Sequence, residues 1–234
     1  MESRRALLLG LATGAAAIPL AGKLVHASSR PATGDVWAIS SSLTTHWFCN
    51  HMLVWSEAIP VEYRAYFCVG PYPGLLERAV PAASERKLAE YMALLSCKSF
   101  LPAALVATDL ADEIEHCEAS ADLVAAERAA FNVYREAKYS TTDTPVPGGM
   151  KCAEGCAHHT LGSLQAAASE EDSHLPHAGR AAASVLSTLR ERYVAADFET
   201  DWIGHMALDA LKGMLRLEMK LRNFPDDFGK NGGR

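Results

Sequence analysis

The densest group of side chains able to do chemistry is Cys152-x-x-x-Cys156-x-His158-His159. Thiolate and imidazole are the protein ligands that Zn, Cu or Fe take. Gly148, Gly149 and Gly155 lend this stretch the backbone freedom to bring four side chains together. The spacing is neither that of a zinc finger nor the Cys-x-x-Cys-His of haem attachment. The same residues admit a second chemistry, a disulfide with two surface histidines beside it. Regular helix geometry disfavours a bridge between positions i and i+4, whereas a glycine-containing turn permits one. The chain has six cysteines, Cys49, Cys68, Cys97, Cys117, Cys152 and Cys156. An even number in an oxidising compartment leaves bridges to the other cysteines open as well. Metal and disulfide exclude each other at the same two sulfurs.

A second signal is a pair of Glu-x-x-His motifs, Glu113–His116 and Glu171–His174. With Glu85 or Glu90 ahead of the first motif and Glu127 or Glu136 ahead of the second, the order along the chain resembles that of ferritin-like bundles. That resemblance implies a di-metal centre held by two such motifs and a glutamate from each of two other helices. At helical spacing Glu113 and Glu171 fall about 55° from the centre of their apolar faces, and both histidines about 115°. A third group is His46-Trp47-Phe48-Cys49-Asn50-His51, in which His46 and Cys49 share a helix face. An aromatic-rich helix of this kind reads first as a core element with polar edges. No Gly-x-Ser-x-Gly, phosphate loop or dinucleotide fingerprint is present.

The elements that must position these residues are all read as helices. Residues 36–58 carry Trp37, Trp47 and Trp55 and stop before Pro60. Ser84 caps a helix with the stripe Leu88, Met92 and Leu95. Pro102 opens another that continues through Val106, Leu110, Ile114 and Cys117. Residues 122–139 are the clearest case, with Leu123, Ala126, Ala130, Val133 and Ala137 at spacings of three and four. A loop over 141–149 follows, then a short Ala-rich helix over 160–173 that stops before Pro176. Residues 178–196 form one helix, and Thr200 or Asp201 caps the last. That helix carries Ile203, Ala207, Ala210, Met214, Leu217 and Leu221 on one side. Neither strands nor internal repeats are expected, so the fold class is all-α, a bundle of six to eight helices.

Residues 1–27 stand apart. Two adjacent arginines precede an apolar run diluted by Gly10, Thr13, Gly14 and Pro19, and Val25-His26-Ala27 precedes a polar stretch. This is the layout of a cleaved leader. The run is short of the ~20 apolar residues a membrane span needs, and no later stretch is a better candidate. The mature chain is therefore expected to have no integral membrane segment. Ser3-Arg4-Arg5-Ala6-Leu7-Leu8 resembles the twin-arginine export signal. The resemblance implies a periplasmic or secreted protein that crosses the membrane folded, with a cofactor already inserted or alongside a partner that carries one. Residues 28–35 are expected to be a flexible tail, 36–224 a single helical domain and 225–234 a disordered tail. Without the leader the chain has 19 basic and 27 acidic residues, a net charge of −8. No basic run appears, which argues against nucleic acid and anionic membranes as partners.

Trp37-Ala38-Ile39-Ser40-Ser41-Ser42-Leu43-Thr44 resembles the Leu-Ser-x-x-Leu-Thr opening of the small subunits of periplasmic flavin-dependent sugar and alcohol dehydrogenases. Thr45 stands where that family has Gly. The resemblance implies a subunit that exports and stabilises a larger redox partner. The expected function is thus an exported accessory or binding protein without catalysis of its own. The alternative is a periplasmic metal-binding protein or metalloenzyme using Zn, Cu or Fe at the Cys/His or Glu-x-x-His residues.

Overall fold

The computed structural model describes residues 42–53, 82–106, 108–140 and 149–221. The leader, both tails, the segment 54–81 with Cys68, and the loop 141–148 lie outside the described residues. So do the outer parts of the helix expected over 36–58. The described residues form helices and connecting turns, with no strand among them. The helices are α1 (Leu43–Leu53), α2 (Ala82–Leu95, a π-helical turn Ser96–Phe100 and Leu101–Leu105), α3 (Glu113–Glu118), α4 (Leu123–Tyr139), α5 (Gly149–Ala168), α6 (Leu175–Ala195) and α7 (Asp201–Leu221). The protein is an all-α multi-helix bundle.

The hairpin of α5 and α6 is its centre. On it pack α4, against α5, and α1, against α6; α2 touches both, and α7 lies chiefly on α2. The facing stripes are rich in alanine: Ala126, Ala130 and Ala137 of α4, Ala153 and Ala157 of α5, and Ala178, Ala182 and Ala183 of α6 are all buried. Small side chains let helix axes approach closely and fill the space with backbone contacts. Bulk comes from Phe48 and Met52 of α1, Leu88, Met92, Phe100 and Leu101 of α2, Leu164 of α5, and Met214 of α7. Gly179 is required at one contact, because a Cβ there would run into the Thr44 carbonyl of α1.

Several ends follow from local chemistry. Asp122 is the N-cap of α4, its carboxylate accepting from the Ala125 amide at 2.8 Å. At the end of α6, Asp197 takes a left-handed φ of 58°. The Phe198 amide then donates to the Tyr193 carbonyl at 2.9 Å, closing a Schellman-type turn. The rings of Tyr193 and Phe198 meet edge-on, the apolar contact that accompanies this turn.

Three expectations are corrected. The helix expected from Pro102 to Cys117 is two pieces, Leu101–Leu105 and Glu113–Glu118. Thr108 divides them: its hydroxyl donates to the Leu105 carbonyl at 2.8 Å and accepts from the Leu110 amide at 3.1 Å. Pro102 does not begin a new helix, since the chain runs on helically from Leu95. A proline ring clashes with the carbonyl four residues back, and the wider π turn before it gives that carbonyl room. Finally, the loop and short helix expected around Cys152–Ser173 are one long helix, α5, and Pro176 does not end a helix but occupies the first turn of α6.

Candidate functional site

The helical course of α5 decides the fate of the Cys/His group. Cys152 and Cys156 point into the core and are fully buried, His159 is half-buried, and His158 faces solvent. The four side chains therefore do not converge as the loop reading supposed. The two sulfurs alone meet, 3.9 Å apart. The Cys156 thiol is pushed well up by burial and then by its neighbour's sulfur, while the hydrogen bond from Cys156 holds the Cys152 thiol down. A second buried pair is Cys97, on the π turn, and Cys117, on α3. The Cys97 thiol donates to the Ala126 carbonyl at 3.6 Å and the Cys117 carbonyl at 4.0 Å, and the Cys117 thiol is raised by the Cys97 sulfur, by burial and by Glu113 and Glu118. The five described cysteines are free thiols. For Cys152 and Cys156 the reason is geometric: helical residues four apart hold their Cβ atoms about 5–6 Å apart, whereas a disulfide needs about 3.5–4.5 Å.

The two Glu-x-x-His motifs lie on short turns, not mid-helix. Glu113 and His116 belong to the six-residue α3, with the ring nitrogen 3.3 Å from the carboxylate. Glu171 and His174 lie in the turn joining α5 to α6, where Nε2 of His174 is 3.4 Å from Glu171 and Nδ1 is 3.0 Å from the Ser169 hydroxyl. Each histidine is thus engaged by its own segment. Among the described residues, no three His, Cys, Asp or Glu side chains are grouped as a metal ion would need.

Glu85, named above as a ligand for the first motif, has a different task. It is buried in the first turn of α2, aimed at the start of α1. Its carboxylate accepts from the Ser42 hydroxyl at 3.1 Å, the Leu43 amide at 3.2 Å and the Thr44 amide. The Ser42 hydroxyl in turn accepts from the Thr45 amide at 3.2 Å, as an N-cap does. One carboxylate therefore lies between two helix N-termini, where both dipoles favour a negative charge. Thr44 completes the joint by donating to the Leu175 carbonyl of α6.

What the tertiary structure gathers at the surface is a groove of about 590 Å³ where α5 turns into α6 beside α4. Its polar lining is Glu127, Gln165, Ser169, His174 and His177. The sequence offers Glu127 or Glu136 beside the His174 motif, and of the two Glu127 lines the groove; His177 is not offered, and only its place one helical turn beyond His174 could suggest it. The His177 ring meets Trp47 edge-on at 4.7 Å, and the Arg180 guanidinium lies over the same indole. Arg86 pins the turn by donating to the Ser169 carbonyl at 2.6 Å and to Asp172 at 2.9 Å.

A third histidine seam runs between α1, α5 and α6. His51 is 3.3 Å from the Ser184 hydroxyl. Burial, then the charge of Arg180, holds its imidazole below the ordinary value; burial, then His158 and His51, does the same for His159. His46 and Cys49, on the neighbouring face of α1, are buried as the aromatic pattern around them suggested.

Compared with known protein families, curated proteins and solved structures, the chain matches none. No helix among the described residues is long and apolar enough to cross a membrane.

Proposed function

We propose that this chain is an exported helical accessory subunit that escorts or stabilises a larger redox enzyme and performs no chemistry itself. The observation that carries the reading is the Glu85 clamp on Ser42, Leu43 and Thr44. Those three residues end the stretch that resembles the opening of dehydrogenase small subunits, and the clamp builds them into the scaffold. Other interior polar groups are likewise engaged in joining helices: Ser163 donates to the Ala178 carbonyl at 2.8 Å, and the hydroxyls of Ser96 and Thr160 meet at 3.1 Å. The leader read from Arg4 and Arg5 supplies the route.

The test is a chain with Arg4→Lys and Arg5→Lys in the cells that make it. The precursor and a larger redox subunit should both stay in the cytoplasm. Normal export of both would remove the escort reading.

A further inference from the structure

Two of the buried thiols differ from the rest in where they meet. Cys97 lies on the π turn of α2 and Cys117 on α3, 20 residues later. Both are fully buried, and they touch across the boundary between two elements. The Sγ of Cys97 is 4.0 Å from the carbonyl oxygen of Cys117 itself. Each group is also the leading influence on the other. Cys117 holds the Cys97 thiol below its ordinary value against burial, helped by Ser120 and Lys98, while Cys97 pushes the Cys117 thiol well up. For Cys49, burial alone raises the thiol. Cys152 and Cys156 meet too, but on one regular helix, at the spacing that keeps their Cβ atoms too far apart to bridge.

The element that carries Cys117 is lightly held. Of the six residues of α3, Cys117 is the one fully buried. Glu115, His116 and Glu118 are exposed, and residues 109–112 and 119 beside them are turn. A short element with so little buried surface opens far more readily than the bundle it rests on. Such an opening lets a reagent reach both sulfurs while the other helices stay packed. Because α3 lies between turns, it can also settle against α2 to close a bridge.

We propose that Cys97 and Cys117 form a disulfide once the chain has crossed the membrane, stapling α3 to α2. The inference rests on the export part of the reading above, since thiols stay reduced in a cytosol and bridge in an oxidising compartment. A chain that crosses folded must be oxidised as a folded protein, and the opening of α3 allows it. The oxidant is a protein of that compartment that carries a reactive disulfide. The Cys97 thiolate attacks one of its sulfurs, forming a mixed disulfide and releasing the other as thiolate. That thiolate takes the Cys117 proton, and the Cys117 sulfur attacks the Cys97 sulfur. The remaining oxidant sulfur leaves and takes up the proton that Cys97 lost. Two cysteines thus lose two electrons, and one disulfide is reduced to two thiols. Closing a loop of 20 residues restricts the unfolded chain and so stabilises the fold.

The experiment traps thiols with acid in cells that make the full chain and alkylates them with N-ethylmaleimide in denaturant. Peptides of the exported protein and of the Arg4→Lys/Arg5→Lys precursor are then read by mass spectrometry. In the exported protein, the peptides with Cys97 and Cys117 should be linked and unlabelled until reduced. In the precursor both cysteines should carry the label. The purified reduced chain should gain the same link from oxidised glutathione, and its urea midpoint should rise by about 1 M. Cys117→Ala should lose that rise and keep its helical circular dichroism. Label on Cys97 and Cys117 of the exported protein without reductant overturns the bridge and leaves export standing. A link from either to another cysteine, Cys68 included, overturns it as well, as do glutathione adducts on single cysteines in place of the link. If the parent chain itself stays in the cytoplasm, the export reading and the bridge both fall.

Discussion

His51 and His159 are the residues through which pH acts most directly on this fold. Burial lowers both imidazoles from the ordinary 6.5. The unfolded chain therefore takes up protons at a pH where the folded chain does not. Stability is fully present above about 6.5 and is lost as pH falls from there through the lowered folded values. Urea midpoints measured between pH 7.5 and 5 should decline, and His51→Asn/His159→Asn should flatten that decline; an equally steep slope in the variant would assign it to other groups. The thiols make a second prediction at this scale. Cys49, Cys97, Cys117, Cys152 and Cys156 are buried and free. Brief alkylation of the native precursor, before export, should leave all five unmodified, and unfolding without reductant should expose them together. Labelling of Cys152 and Cys156 only after reductant would show a bridge, and labelling only after chelator a bound metal. In the bridged case α5 must depart from regular helix around Gly155.

At the scale of elements, the joint of α1, α2 and α6 is the feature most open to mutation. Glu85→Ala leaves the Leu43 and Thr44 amides without their acceptor inside the protein. Buried donors left unpaired cost about 1–3 kcal/mol, so the denaturant midpoint should drop while the slope stays constant. Gly179→Ala attacks the same joint from α6, driving a methyl into the Thr44 carbonyl. Overpacking of this kind costs about 1–3 kcal/mol. Because both changes act on the anchoring of Thr44, the double variant should lose less than the two singles together. Strict additivity would show that the clamp and the close approach are independent.

For the whole molecule, far-ultraviolet circular dichroism should be dominated by helix, and a large strand signal would contradict the bundle. Met214 sits fully buried where α7 lies on the core. Met214→Asp places an uncompensated charge there and should be among the most damaging single changes, because buried unpaired charge is strongly disfavoured. A variant as stable as the parent would mean that this side of α7 is open in solution.

The amino-acid sequence by itself determined the fold class and the elements whose signals are local. Residues 122–139 carried an apolar stripe in one window that α4 fills, and α7 begins where Thr200–Asp201 placed it. Helical periodicity and capping are set by residues within a few positions, so they are legible without a partner. The sites were not legible in this way. Gly155 looked like loop chemistry around Cys152 and Cys156, yet it lies within α5, where the absence of a Cβ leaves room for the Thr188 side chain of α6, 3.1 Å from where that atom would stand. Pro176 looked like a stop and is a start, since proline suits the first turn of a helix as well as the stretch after one. Glu85 looked like a metal ligand and is a clamp on a helix forty residues earlier. In each case the deciding contact joins residues far apart in the chain or spread around a helix, and a side chain's role is set by what packing brings against it.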